Sequence, residues 1–158
     1  MYGLGIADKS RLMEFLFPQY EPVLRRINNN PEAKVYRIGT YFNYFIDRNN
    51  ERVFQDNQLT NLDRYIKLFP GDKLKAVEAM KKNGYKYIIL DMHVASIDRT
   101  PDASLRKKAR DLGIFLVNNS GLKPIGTDRV VINKEGERVF GLSGQIVRNG
   151  TFIVYELQ

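Results

Sequence analysis

The stretch "YIILDMHVASIDRTP", Tyr87 to Pro101, holds two carboxylates, an arginine and the chain's only histidine. Its first half reads as a buried strand and its end as a helix start. Asp91, His93, Asp98 and Arg99 would then stand beyond the carboxyl end of a strand, where open α/β sheets take their ligands. Asp91 has the chemistry of a general base or a metal ligand, and His93 that of a proton carrier. A plainer reading accounts for the same residues. Asp91 can cap backbone amides, Asp98 can pair with Arg99, and His93 can lie on the surface. One histidine among scattered carboxylates falls short of a metal signature. Asp91, His93 and Asp98 are therefore candidates for catalysis without an assigned role. Asp91, Asp98, Arg99 and Thr40 are the candidate ligand-binding residues. No metal and no cofactor is expected.

Other reactive patterns are missing from the chain. It has no cysteine, so no thiolate nucleophile and no disulfide framework. The "GLG" of Gly3 to Gly5 follows no strand and lacks the third glycine of a dinucleotide fingerprint. No phosphate-loop lysine, G-x-S-x-G elbow or H-E-x-x-H occurs. Tyr36, Tyr41, Phe42, Tyr44 and Phe45 form an aromatic group that can either stack on sugars or bases or fill a core. N-x-[ST] sequences stand at Asn118 and Asn149, and matter only in a eukaryotic secretory pathway.

The elements that must position these residues follow from periodicity and punctuation. "DKSRLMEFLFPQYEPVLRRINNN" reads as helix in two pieces, interrupted at Pro18 and Pro22. "KVYRIG" and "RVFQD" read as strands, and "TYFNYFID" as a short helix that Thr40 can cap. "NLDRYIKLF" is a helix closed by Pro70-Gly71. Asp72 caps the next, "KLKAVEAMKKNG", where Leu74, Val77 and Met80 recur and Gly84 stops the helix. "YKYIILDM" is a strand whose unbroken apolar run predicts cover on both faces. "TPDASLRKKARDLGIFLVNN" reads as a helix with Thr100 as N-cap, Pro101 in its first position and Leu105, Ala109, Leu112 and Leu116 on one side; Gly113 leaves "IFLV" open as a strand. "LKPIGTDRVVI" and "TFIVYEL" are the last strands. This order predicts an α/β fold with three layers. A mostly parallel central sheet carries helices on both faces, and a C-terminal antiparallel hairpin is added at an edge. Residues 1–30 form an N-terminal helical segment packing on a single α/β domain, 31–158.

The bulk properties bound the function. At 158 residues with 43% hydrophobic content, the chain can bury one proper core. No apolar run reaches the ~18 residues of a membrane helix, and the start "MYGLGIADKS" has no signal-peptide pattern. The formal charge of +7 favours anionic partners. Its densest group is "RKKAR", Arg106 to Arg110, on a predicted helix. Arg106, Lys107, Lys108 and Arg110, with Lys81 and Lys82, are the candidate contacts to an anionic surface. The basic residues are scattered, so nucleic acid is not the expected partner.

"FPQYEPVLRRINNNPEAKVYRIGTYFNYFI", "RVFQDNQL", "KYIILD" and "SIDRTPDASLRKK" resemble the soluble C-terminal region of bacterial multi-spanning membrane glycosyltransferases. These are the dolichyl-phosphate-mannose-type, polyprenol-phosphate-dependent sugar transferases. The resemblance runs from Phe17 to Val131 and lies in segment order, not in a catalytic signature. It implies a non-catalytic accessory domain that binds the acceptor or mediates assembly. It also implies a place on the outer face of the cytoplasmic membrane. The membrane part of the same polypeptide would be the partner, with a lipid-linked sugar or anionic lipid surface nearby. The family's catalytic acid lies in the membrane part, so no residue here inherits a catalytic role. The alternative is a free-standing, cytoplasmic α/β enzyme or binding protein for an anionic ligand, phosphate-containing or nucleic acid.

Overall fold

The computed structural model describes residues 21–39, 46–91, 100–127, 131–132, 138–139 and 152–158. Of Asp91, Thr127 and the two pairs 131–132 and 138–139 only the backbone is described. The chain is mixed α/β, with one open five-strand mixed sheet and helices.

The elements in chain order are α1 (Glu21–Asn28), β1 (Lys34–Ile38), α2 (Asn49–Arg52), β2 (Val53–Gln55) and α3 (Thr60–Leu68). They continue with α4 (Lys73–Lys82), β3 (Tyr85–Asp91), α5 (Ala103–Leu116) and β4 (Leu122–Thr127). The chain ends through β5 (Val131–Ile132), β6 (Arg138–Val139) and β7 (Phe152–Leu157). The large sheet has the order β2-β1-β3-β7-β4, and β5 and β6 pair separately. β1 pairs parallel with β2 and with β3, while β7 runs antiparallel to both β3 and β4.

Side chains alternate between two buried clusters along each central strand, as a period of two requires. Tyr36 and Ile38 of β1, Ile88 and Leu90 of β3, and Ile153, Tyr155 and Leu157 of β7 join one cluster. Leu62 of α3, Ala76, Val77 and Met80 of α4, and Leu112, Phe115 and Leu116 of α5 complete it. Val35, Tyr87, Ile89, Phe152 and Val154 join the other, with Val23, Leu24 and Ile27 of α1. α1 lies close to β4: a Cβ added at Gly126 would meet Val23 Cγ2 at 2.1 Å. Only a residue without a side chain fits there.

The C-terminal antiparallel hairpin, β4 and β7, stands at one edge of the sheet as expected, with β7 against β3 and β4 outermost. All six residues of β7 are buried, as befits the inner strand of that hairpin. β4 and β2 are the two edges, and in β4 Pro124 has no N–H to offer a further neighbour. The structure corrects two sequence expectations. The N-cap of α5 is Asp102, whose carboxylate accepts from the amides of Ser104 at 2.9 Å and Leu105 at 3.1 Å. Thr100 and Pro101 therefore precede that helix. The helix reading stands over the strand left open for "IFLV", because α5 runs through Gly113 to Leu116. In α4 the buried face is Ala76, Val77 and Met80, and Leu74 is exposed. The Asp72 cap stands as expected, accepting from Lys75 N–H at 3.0 Å. Gly84 ends the turn after α4 at φ 89°, in the left-handed region open to glycine. The expected helix over "TYFNYFID" lies mostly outside the described residues, as does the first piece of the N-terminal helix.

Candidate functional site

The backbone of β3 ends at Asp91, opposite Phe152 of β7, so Asp91 does stand at the carboxyl end of a central strand. His93, Asp98, Arg99 and Thr40 lie outside the described residues. So do Tyr41, Phe42, Tyr44 and Phe45 of the aromatic group. Arg37, one position before the end of β1, is buried.

The described carboxylate most deeply engaged is one that sequence reading passed over. Asp56 follows β2 and is buried at the N-terminus of α3. Its Oδ1 accepts from Thr60 N–H at 2.9 Å. Its Oδ2 accepts from the N–H groups of Asn61 at 3.0 Å and Leu62 at 2.9 Å. These are amides that a helix start leaves without partners, and the helix dipole favours a negative charge there. The Tyr36 hydroxyl donates to the same Oδ2 from the floor of the sheet. Burial first, and then the bond to Asp56, pushes the Tyr36 hydroxyl well above the ordinary tyrosine range. With four donors on it, Asp56 anchors the fold. The turn after it is tight, with Leu59 at φ 54°.

Tyr36 also forms the floor of a cleft of about 300 Å3. The cleft is lined by Tyr36, Phe54, Asn61, Arg64, Tyr65, Leu68 and Tyr85. The rings of Tyr36, Phe54 and Tyr85 meet pairwise. Tyr36 lies 5.4 Å from Phe54 and 5.1 Å from Tyr85, edge-on to the latter, and Phe54 and Tyr85 are 6.1 Å apart. Such tilted and T-shaped contacts are the favoured aromatic arrangements. α3 supplies the rim: Asn61, Arg64, Tyr65 and Leu68 stand three and four residues apart, on one face. The Tyr65 hydroxyl accepts from Asn83 Nδ2 at 2.5 Å, tying the rim to the end of α4. Tyr36 was visible in the sequence as one of an aromatic group with two possible uses. Phe54, Tyr65 and Tyr85 were not singled out, because the rings come from separate strands and a helix. The only local signal is the i, i+3, i+4 spacing on α3.

The basic residues fall apart into engaged and free groups. On α5, Lys107 pairs with Asp111 at 2.6 Å. Lys108 donates to Gln58 O and Thr60 Oγ1, both at 3.3 Å, and Arg106 donates to Thr100 O. Arg110, Lys81 and Lys82 are exposed. α4 and α5 each pack against α3. Another arginine is deeply structural: Arg52 is buried and donates to Asp47 O at 2.8 Å and Asn30 O at 2.7 Å, with Ile27 O and Ala33 O also in reach. It closes the carboxyl end of α1 onto the start of β1. Burial lowers its pKa from the ordinary value. Glu156 of β7, also buried, is paired with Arg26 of α1 and with Lys86 at 3.8 Å.

Among the described residues there is no group of three potential metal ligands and no helix long and apolar enough to cross a membrane. Comparison with protein-family models, curated proteins and solved structures finds no match.

Proposed function

We propose that this chain is a non-catalytic accessory domain of a membrane glycosyltransferase, acting in acceptor binding or assembly. The observation that carries the reading is the character of the aromatic cleft. Its lining offers rings, one amide and one guanidinium, a set suited to holding a ligand. The carboxylate beside it, Asp56, already holds four donors and is not poised to take a proton from a substrate. The four segments that resemble the C-terminal region of the polyprenol-phosphate-dependent transferases support the parent enzyme. On this reading the domain lies on the outer face of the bacterial cytoplasmic membrane, beside the membrane part of its own polypeptide. A lipid-linked sugar or an anionic lipid surface is then within reach of its free lysines.

The fold proposal that goes with it is a three-layer, mostly parallel α/β domain. α1 packs into one buried cluster and α3, α4 and α5 into the other, which supports helices on both faces. β4 is antiparallel to β7, as β3 is, so β1, β2, β3 and β4 share one direction.

An immunoblot of the source cells tests the parent assignment. An antibody against this chain should detect, in the membrane fraction, a polypeptide several times the 18.3 kDa of the chain. A band of the chain's own size in the cytosol contradicts it.

A further inference from the structure

We infer that the cleft over Tyr36 is a carbohydrate subsite that takes one sugar ring on the faces of Phe54 and Tyr85. The choice of a sugar rests on the acceptor-binding reading; the existence of a site rests on the cleft itself. The volume of about 300 Å3 stands at the lower end of the ~300–1,000 Å3 of small-molecule sites, room for a single ring. Its floor is aromatic. Tyr36 is fully buried beneath Phe54 and Tyr85, its hydroxyl committed to Asp56, so it supports the floor and the ligand-facing rings are those of Phe54 and Tyr85. Phe54, on the edge strand β2, is 37% exposed, and so presents ring surface that the core does not use. A pyranose has an apolar face of C–H groups that packs against such rings, and a rim of hydroxyls that each need a partner.

The rim of the cleft has those partners. Among the described residues, the Asn61 amide, the Arg64 guanidinium and the Tyr85 hydroxyl hydrogen-bond no protein group. Asn61 offers a carbonyl and an NH2, and Arg64 a planar fork of donors. Both geometries suit vicinal hydroxyls taken in pairs. Two other ligand classes fit less well. A purely apolar guest would use the floor and leave the amide and guanidinium idle. A nucleotide or other phosphate would meet a single cation, Arg64, where phosphate sites gather several donors. The open side of β2 and the exposed Leu68, at 67%, leave room for a longer glycan to run out past the first ring.

The test is a titration of the 15N-labelled chain followed by amide shifts. The probes are methyl α-D-mannopyranoside, methyl β-D-glucopyranoside and N-acetylglucosamine, with phenol and adenosine monophosphate as controls. At least one sugar should give saturable shifts centred on Phe54, Asn61, Arg64, Tyr65 and Tyr85, with millimolar affinity, about −4 kcal/mol. Phe54→Ala and Arg64→Ala should each weaken binding roughly tenfold, about 1.4 kcal/mol, and Arg64→Ala, which removes no packed ring, should do so with the melting temperature held. Shifts with phenol or adenosine monophosphate but with no sugar overturn the inference, as do sugar shifts elsewhere or none. Failure here with a large membrane-fraction band removes the subsite and leaves the accessory reading standing. Sugar binding with a cytosolic band of the chain's own size does the reverse.

Discussion

The buried polar side chains of this domain are spent on its joints. Asp56 holds the first turn of α3 against β1 through three amides and the Tyr36 hydroxyl. Arg52 holds the end of α1 through backbone carbonyls. Truncating one partner of such a network leaves the other buried and unsatisfied, which costs more than the bond itself contributes. Two of the buried tyrosines, Tyr36 and Tyr155, make a pH prediction. Burial raises Tyr36 above the ordinary 10.0, and pushes Tyr155 up to about 12. In that window the folded chain keeps protons that the unfolded chain has lost. Stability is therefore complete below the unfolded tyrosine value and declines as pH rises past about 10. Urea midpoints should fall as the buffer goes from about pH 9 to 11, and Tyr36→Phe should fall less steeply than the parent chain. Equal slopes would mean that the Tyr36 hydroxyl is not held neutral by the fold. None of this was legible in the sequence. Asp56 reads there only as the last residue of the strand "RVFQD", and its partner Tyr36 is twenty residues earlier in another strand.

At the scale of elements, most of what the sequence offered was right in kind. The apolar run of Tyr87 to Leu90 does mark a central strand, buried on both faces. Asp72 and Gly84 do bound α4. Two features escaped for physical reasons. Thr100 and Asp102 both carry a cap acceptor, and local preference cannot choose between them. The structure chooses Asp102, so Asp102→Ala should cost about 1 kcal/mol in urea unfolding, and Thr100→Ala less than about 0.5 kcal/mol. The opposite ranking would return the start of the helix to Thr100. Which strand of the C-terminal hairpin meets β3 escaped because an apolar run reports burial and not neighbours. "FIVYEL" carries the same signal as β3, and only the pairing of Phe152 with Asp91 places it beside that strand. The cleft was hardest to read, since Tyr36, Phe54, Tyr65 and Tyr85 converge from β1, β2, α3 and β3 only once the sheet is assembled.

For the whole molecule, the formal charge of +7 is less concentrated than the "RKKAR" segment suggests. Lys107, Lys108 and Arg106 are taken up by Asp111, by the turn before α3 and by Thr100. Lys81, Lys82 and Arg110 are left for an outside partner. A few exposed cations give weak, reversible binding to an anionic membrane, about 1 kcal/mol each near the surface. The chain should co-sediment with anionic vesicles at low salt and not with neutral ones. Screening over ~8 Å should release it at physiological salt. Lys81→Glu/Lys82→Glu should lose more binding than Arg106→Glu/Lys107→Glu/Lys108→Glu. Equal sedimentation with both lipids, or none with either, leaves the charge as a feature of solubility.

The central claim is that this domain holds a ligand and does not transform one. Turnover by the purified chain tests it most directly, on panels of phosphatase, nuclease, esterase and glycosidase substrates. Every rate should equal the buffer background. Turnover above background that disappears in Asp91→Asn or His93→Ala would contradict the claim, and would make the carboxyl end of β3 an active site.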